Sequence, residues 1–326
     1  MNPQVIIGGG LSGLLTARIL QEKNISWIGF EKTSRLGGRA ESGPHRVLRS
    51  ETAVLFQELV PEIKWLATEG DVKERVKGEF EELHEGFSEA EKFYLTSSLY
   101  AAETPFENFV EKLAASVTPQ YQTRKTVTRI RGSEKVIEFS DGSEQNYQQL
   151  FWCSDLGLLF KVWEGEPLCS PKSMKKQMEK PAGVNLTLEL ESPLADIKNT
   201  VVLPFRFKDW KLRGLGIPEL HRLHWMVFLP KELMEDREEV AKCVRSLKRE
   251  LLKEFPELST KIKKEKIVYL PVLSGEDTAQ WSSLNIAPDV FYIGPQIYTL
   301  PEQAELKNLD LVAAQAQQLR TQNLAL

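Results

Sequence analysis

The chain has 326 residues, 41% of them hydrophobic, which suffices for one large core or two smaller ones, and two domains are expected. Forty-two Lys and Arg stand against 46 Asp and Glu, a net charge of −4, which excludes the basic footprint of a nucleic-acid binder. Cys153, Cys169 and Cys243 form no CxxC pair, so neither a disulfide framework nor a zinc site is expected, a reducing cytoplasmic setting fits, and no stretch reaches the ~18 apolar residues of a transmembrane span.

The chain opens almost directly on an apolar strand, Gln4-Val5-Ile6-Ile7, which leaves no room for a cleaved leader. The next residues, Gly8-Gly9-Gly10-Leu11-Ser12-Gly13, contain GxGxxG at Gly8, Gly10 and Gly13. A helical stretch with Leu14, Leu15, Ile19 and Leu20 follows, and Asn24 breaks it. A second strand, Ser26 to Phe30, ends at Glu31, 18 residues beyond Gly13. This is the β-α-β unit with a terminal acid that binds a dinucleotide. Gly8 permits the tight turn, Gly10 lets the backbone approach a pyrophosphate, and Gly13 allows helix to pack on strand. The helix start at Leu11 and Ser12 offers N–H groups and a partial positive charge to the phosphates. Glu31 accepts from ribose hydroxyls and repels a 2'-phosphate, which argues against NADP.

Arg35-Leu36-Gly37-Gly38-Arg39-Ala40-Glu41-Ser42 reads RxGGRxxS. It resembles the glycine-doublet motif of the flavin-dependent amine oxidase superfamily, which includes monoamine and polyamine oxidases, protoporphyrinogen oxidase, phytoene desaturase relatives and renalase-like proteins. The resemblance implies FAD rather than NAD as the resident cofactor. It places Arg39 on the pyrophosphate, where a guanidinium fork suits phosphate oxygens. Gly37 and Gly38 let the chain pass close to the cofactor without a Cβ clash. Lys32 and Arg35 join the cofactor-binding set, although a surface ion pair of Arg35 with Glu31 or Glu41 remains the alternative.

Residues 71 to 117 read as helical and form a first insertion. Thr126 to Ile130 and Lys135 to Phe139, with a turn at Asp141-Gly142-Ser143, read as a meander, and Tyr147 to Ser154 as the strand that returns to the main sheet. In the related family a valine of the first meander strand touches the adenine through its backbone, and Val127 matches it. Residues 166 to 270 form a second insertion. It holds strands at Val184 to Leu190, Thr200 to Phe207 and Leu223 to Leu229, then a helix with Val240, Val244, Leu247, Leu251 and Phe255 on one face. Phe205, Phe207, Trp210, Trp225 and Phe228 either line a pocket or pack a core. His221 and His224 have no companion ligand at a metal spacing and read as structural. The expected fold is α/β: a Rossmann-like FAD-binding domain with a central parallel sheet (1–70, 118–165, 271–326) and an α+β substrate domain built from insertions (71–117, 166–270).

Asp289 to Gly294 is a short buried strand and Leu306 to Leu319 a Leu- and Ala-rich helix. In the family this strand ends in Gly-Asp or Gly-Glu, whose acid binds the ribityl chain. Here Gly294 is followed by Pro295, so Gln296 or a backbone group must replace that contact. By the same resemblance His45 runs beside the isoalloxazine and Tyr298 reaches it from the C-terminal loop, the two catalytic candidates, with an ordinary loop histidine as the alternative for His45. No cysteine follows Cys243, so FAD is expected to be non-covalent. The resemblance implies hydride transfer from an amine or reduced carbon centre of a small-molecule substrate to FAD, with reoxidation by oxygen. An FAD-binding member without turnover and an NAD-linked dehydrogenase are the alternatives.

Overall fold

Val5, Ile6 and Ile7 are inaccessible on both faces, as a central parallel strand requires. The computed structural model describes residues 2–38, 45, 47–69, 71–83, 86–87, 91–92, 95, 98–165, 183–270, 279–280, 283–298 and 308–322. The first stretch gives β1 (Gln4–Ile7), α1 (Leu11–Glu22), β2 (Trp27–Glu31), α2 (Ser50–Leu59), β3 (Trp65–Glu69), β4 (Lys73–Val76), β5 (Glu79–Glu81), β6 (Ser98–Ala102) and α3 (Phe106–Ala115). The chain continues through β7 (Tyr121–Thr123), β8 (Val127–Arg131), β9 (Val136–Phe139), β10 (Glu144–Asn146), β11 (Leu150–Trp152), α4 (Leu156–Val162) and β12 (Trp163–Glu164). Then come β13 (Gly183–Leu190), β14 (Val201–Phe207), β15 (Trp210–Glu219), β16 (Arg222–Phe228), α5 (Lys231–Met234), α6 (Arg237–Glu254), α7 (Leu258–Lys261) and β17 (Ile262–Leu270). The last elements are β18 (Ala279–Gln280), β19 (Asn285–Ala287), β20 (Val290–Tyr292), β21 (Ile297–Tyr298) and α8 (Asn308–Thr321).

A six-stranded sheet of order β19-β20-β11-β1-β2-β7 is parallel except at β19. One face packs on α1, α2, α3 and α8 through Leu14, Ile19, Phe56, Phe109, Leu113, Val312 and Leu319. The other face packs on the meander β8-β9-β10, where Val5, Ile7 and Phe30 meet Ile130, Ile137 and Phe139. The turn between β9 and β10 uses Gly142 at φ +80°, as the Asp-Gly signal predicted. The α/β expectation holds: one parallel sheet lies between helices and a β layer.

The second body is a sheet of order β17-β13-β16-β15-β14-β4-β5. One face is covered by α6, whose Val240, Val244, Leu247 and Leu251 meet Leu186, Leu203, Phe205 and Trp225. Phe205, Phe207 and Trp225 are therefore core residues rather than pocket walls, because they face the helix. Trp210 is partly exposed, and Phe228 packs on the opposite face. Strand β15 went unread because Gly214, Gly216 and Pro218 look like breakers. The glycines are there because a Cβ at Gly214 would lie 2.8 Å from Leu247 Cδ1, and one at Gly216 2.6 Å from the Trp225 ring.

The helical reading of 71–117 is corrected. Among its described residues helix occurs at Glu91 and Lys92 and in α3, and the rest is strand, turn or loop. Lys77 and Gly78, at φ +49° and +85°, make a two-residue hairpin turn that joins β4 to β5, and β4 adds to the second sheet beside β14. Strand β6 pairs instead with β3, and α3 lies in the first core against α1. This stretch is thus shared between the two bodies.

The C-terminal helix closes the first body through a buried carboxylate. Asp310, 1% exposed, accepts from Leu48 N–H (3.0 Å) and Arg49 N–H (3.2 Å) at the entry to α2, whose own N-cap has no side-chain bond. Asp310→Ala leaves those N–H groups without their acceptor, and about 1–3 kcal/mol of stability should be lost. A urea midpoint equal to that of the unaltered protein would contradict this role.

Candidate functional site

The two glycine turns pack on one another. Gly8 sits at φ +110° and donates to Phe30 O at 2.9 Å, and an added Cβ would meet Cys153 O at 2.7 Å. A Cβ on Gly13 would lie 1.8 Å from Gly8 O, so only glycine lets α1 sit this close to the end of β1. Tyr121 donates to the same Gly8 oxygen at 3.3 Å, and burial pushes its phenol well above the usual range. Helix α1 starts from Gly10 with no side-chain cap and no acid in its first turn, which leaves its positive end to an anion.

Glu31 is 8% exposed at the end of β2. Its Oε2 accepts from Gly9 N–H at 2.7 Å and its Oε1 from Thr33 N–H at 2.8 Å, so the carboxylate is oriented by the glycine turn itself. The doublet completes the arrangement. Gly37 N–H donates to Gly9 O at 2.7 Å, and a Cβ on Gly38 would lie 2.8 Å from Gly10 Cα. The missing Cβ at Gly38 makes room for another stretch of backbone, a use that the motif alone did not reveal. Lys32 and Arg35 are exposed on the same loop, with Arg35 O accepting from the Thr33 hydroxyl at 2.8 Å. Arg39 lies outside the described residues. Arg124 N–H donates to Thr33 O and Lys125 N–H to Glu31 O, both at 2.9 Å, which ties the start of β8 and Val127 to the Glu31 loop.

Along the same edge of the sheet, beyond the end of β20, the polar groups turn inward. Gln315 of α8, 0% exposed, accepts from Gly294 N–H at 2.7 Å and donates to Gly294 O at 3.0 Å, taking both polar atoms of that residue's backbone. Gln296 Oε1 accepts from Leu156 N–H (2.8 Å) and the Tyr292 hydroxyl (2.9 Å). Gln315 was missed because a glutamine in a Leu- and Ala-rich helix gives no signal by itself. Tyr298 pairs through its backbone with Gln280 in a short parallel ladder. His45 packs against Phe106 of α3, ring centroids 4.3 Å apart and planes tilted by 34°.

Sequence reasoning placed His224 in the structural class, and the structure finds it 2% exposed within a polar chain. Its Nε2 lies 3.0 Å from Glu219 Oε2, and its Nδ1 3.1 Å from Thr187 Oγ1 and 3.2 Å from Asn185 Nδ2. A carboxylate beside Nε2 selects the tautomer with its proton there, donating to Glu219, while Nδ1 accepts from Thr187 or Asn185. Burial alone would raise the Glu219 carboxyl, but the His224 hydrogen bond and the charges of His224, His45 and Arg222 bring it below the usual range. No group of three or more metal-ligating side chains occurs among the described residues, and no helix there is long and apolar enough to cross a membrane.

Residues 6–55 match the family of NAD(P)-binding Rossmann-like domains, a stretch that runs from β1 into α2. No curated protein sequence matches the chain. Among solved structures, reduced UDP-galactopyranose mutase is similar at a TM-score of 0.67 and 12% identity, covering 98% of this chain and 93% of its own. An oxidoreductase from Methanosarcina mazei is similar at a TM-score of 0.66 and 12% identity, covering 98% and 100%. A putrescine oxidase redesigned in its cofactor binding is similar at a TM-score of 0.64 and 11% identity, covering 98% of each chain. Identities this low speak for the fold. Residues 6–55 thus match a Rossmann-like domain, and the chain as a whole shares the fold of these solved structures.

Proposed function

We propose that the protein is an FAD-dependent oxidoreductase of amine-oxidase type that acts on an amine or a reduced carbon centre. The observation that carries this reading is the Gly9–Glu31–Gly37 contact, which presents a uncapped helix start and an oriented carboxylate at the end of β2. The fit to FAD rests on the cradle: at Gly8 and Gly13 the backbone comes so close that a side chain would clash, and a Cβ at Gly38 would meet Gly10. Leu11 and Ser12 would bind the pyrophosphate through their N–H groups, with Arg39 as its counter-charge. Glu31 would accept from the adenosine ribose, and Val127 would lie against the adenine. Lys32, Arg35, Gly294 and Gln296 remain proposed members of the same set. FAD, when bound, supplies the two-electron acceptor.

What the chain itself does is bind, orient and exclude water. The division of labour we infer places residues 1–70, 118–165 and 271–326 on the cofactor, with 71–117 and 166–270 largely on the substrate side. His45 and Tyr298 are the proposed groups at the substrate. A second reading, FAD binding without turnover, is favoured by one observation: Pro295 stands in place of the ribityl acid, and Gln315 occupies the Gly294 backbone.

Purified protein should be yellow and release FAD, not FMN, on denaturation. Arg39→Ala should lower FAD affinity by about ten- to a hundredfold, the value of a charge-assisted contact, and Glu31→Ala less. Equal retention of FAD by both variants would place the cofactor elsewhere. Under anaerobic conditions amines, polyamines, porphyrinogens and reduced nicotinamides should be screened for bleaching of the flavin band, with peroxide measured after air is admitted. Bleaching by an amine supports the oxidase reading. No response to any compound leaves the non-catalytic FAD binder.

A further inference from the structure

Strand β2 carries a glycine at its centre, Gly29, where a strand ordinarily keeps a side chain. A Cβ there would fall 2.4 Å from the ring of Tyr121, which is opposite Gly29 in register on the neighbouring strand β7. The ring therefore crosses β2 through the gap that Gly29 leaves, with Trp27 against it edge-on at 5.5 Å. Its hydroxyl reaches the end of β1 and donates to Gly8 O at 3.3 Å. Gly13 clears the far side, since a Cβ there would lie 3.0 Å from the Tyr121 hydroxyl oxygen. Two glycines, one in a strand and one in a helix, make way for one phenol.

The Gly8 carbonyl and the Gly9 N–H belong to one planar peptide unit. Its oxygen takes the Tyr121 hydroxyl and its N–H goes to Glu31 Oε2 at 2.7 Å, so β7 holds one end of the plane and β2 the other. Each bond polarises the unit and strengthens the other. Rotation of such a unit is otherwise easy, because neither flanking residue carries a Cβ and Gly8 already lies at φ +110°. Turning the plane would take the N–H away from Glu31 and leave Thr33 N–H, at 2.8 Å on Oε1, to orient the carboxylate. The gap over Gly29 asks for an aromatic ring, and phenylalanine would fill it; the hydroxyl answers to the Gly8 carbonyl.

We propose that Tyr121 is a positioning residue for nucleotide binding: it fixes the Gly8–Gly9 peptide and, through it, the Glu31 carboxylate that receives the adenosine ribose. The contact with the ligand is made by Glu31, and Tyr121 stands two hydrogen bonds behind it. This rests on the flavoprotein reading above and extends it to a residue of β7 that neither glycine motif contains.

The test uses FAD-loaded protein and reads free-flavin fluorescence, on dilution for FAD affinity and on displacement by ADP or 2',3'-dideoxy-ADP for the share of the ribose hydroxyls. The ratio of the two displacing concentrations does not depend on FAD affinity. Tyr121→Phe should lower FAD affinity about three- to tenfold, the value of one hydrogen bond, and bring ADP and its dideoxy analogue closer together by a similar factor. In a Glu31→Ala background the same substitution should change FAD affinity by less than about twofold, because the contact it positions is gone. Gly29→Ala, which displaces the ring and keeps the hydroxyl, should reproduce the loss, and it decides the matter if Tyr121→Phe does not fold. A merely structural Tyr121 would give either variant a lowered melting temperature with the ratio of ADP to its dideoxy analogue unchanged. That pattern, or losses from Tyr121→Phe and Glu31→Ala that simply multiply, would overturn the proposal while leaving the flavoprotein reading intact. Unaltered protein that takes up no FAD would overturn that reading, and the proposal with it.

Discussion

The Gly9 peptide unites the first glycine turn, the end of β2 and the glycine doublet. Its N–H is given to Glu31 and its carbonyl takes the Gly37 N–H, both at 2.7 Å. Through that residue the first turn, the end of β2 and the glycine doublet become one rigid piece. The bonds are possible only because Gly8, Gly13 and Gly38 carry no Cβ, since at each the added atom would fall within 3 Å of neighbouring backbone. The start of β8 then hangs from the same loop through Lys125 and Arg124, so the meander is placed by it as well.

The consequence is a site with two unequal ends. Around Glu31 the polar groups lie beside the uncapped start of α1, the carboxylate held by the Gly9 and Thr33 N–H groups. Around Gly294 they are aimed at one another, with Gln315 spanning the Gly294 backbone and Gln296 bonded to Leu156 and Tyr292. Buried polar groups must be paired, and where a fold lacks the acid that a ligand would share, the protein supplies partners of its own. On the proposed reading, selection for FAD would then rest on its adenosine half.

The parts of this that could be read from sequence are local. Gly8 to Glu31 form a contiguous β-α-β unit whose periods, turn residues and terminal acid lie within one window. The α6 face and the Asp141-Gly142 turn were legible for the same reason. The unread parts depend on contacts between distant segments: Gly214 and Gly216 look like breakers until Leu247 and Trp225 are seen to fill their space. Lys77-Gly78 is a hairpin turn whose flanking residues are too charged to advertise strands, and pairing with β14 decides the matter. His224 looked bland because its partners are cross-strand neighbours, Thr187 at 37 positions' remove, which no linear spacing rule reaches. Asp310 acts on Leu48 from 262 positions away, and Gln315 on Gly294 from 21.

The central claim is that the adenosine half carries the recognition. It is tested most directly by displacing FAD from the protein with its two halves, ADP and FMN, followed by the recovery of free-flavin fluorescence. The account predicts that ADP displaces FAD at concentrations where FMN does not. Displacement by FMN with no effect of ADP would contradict it.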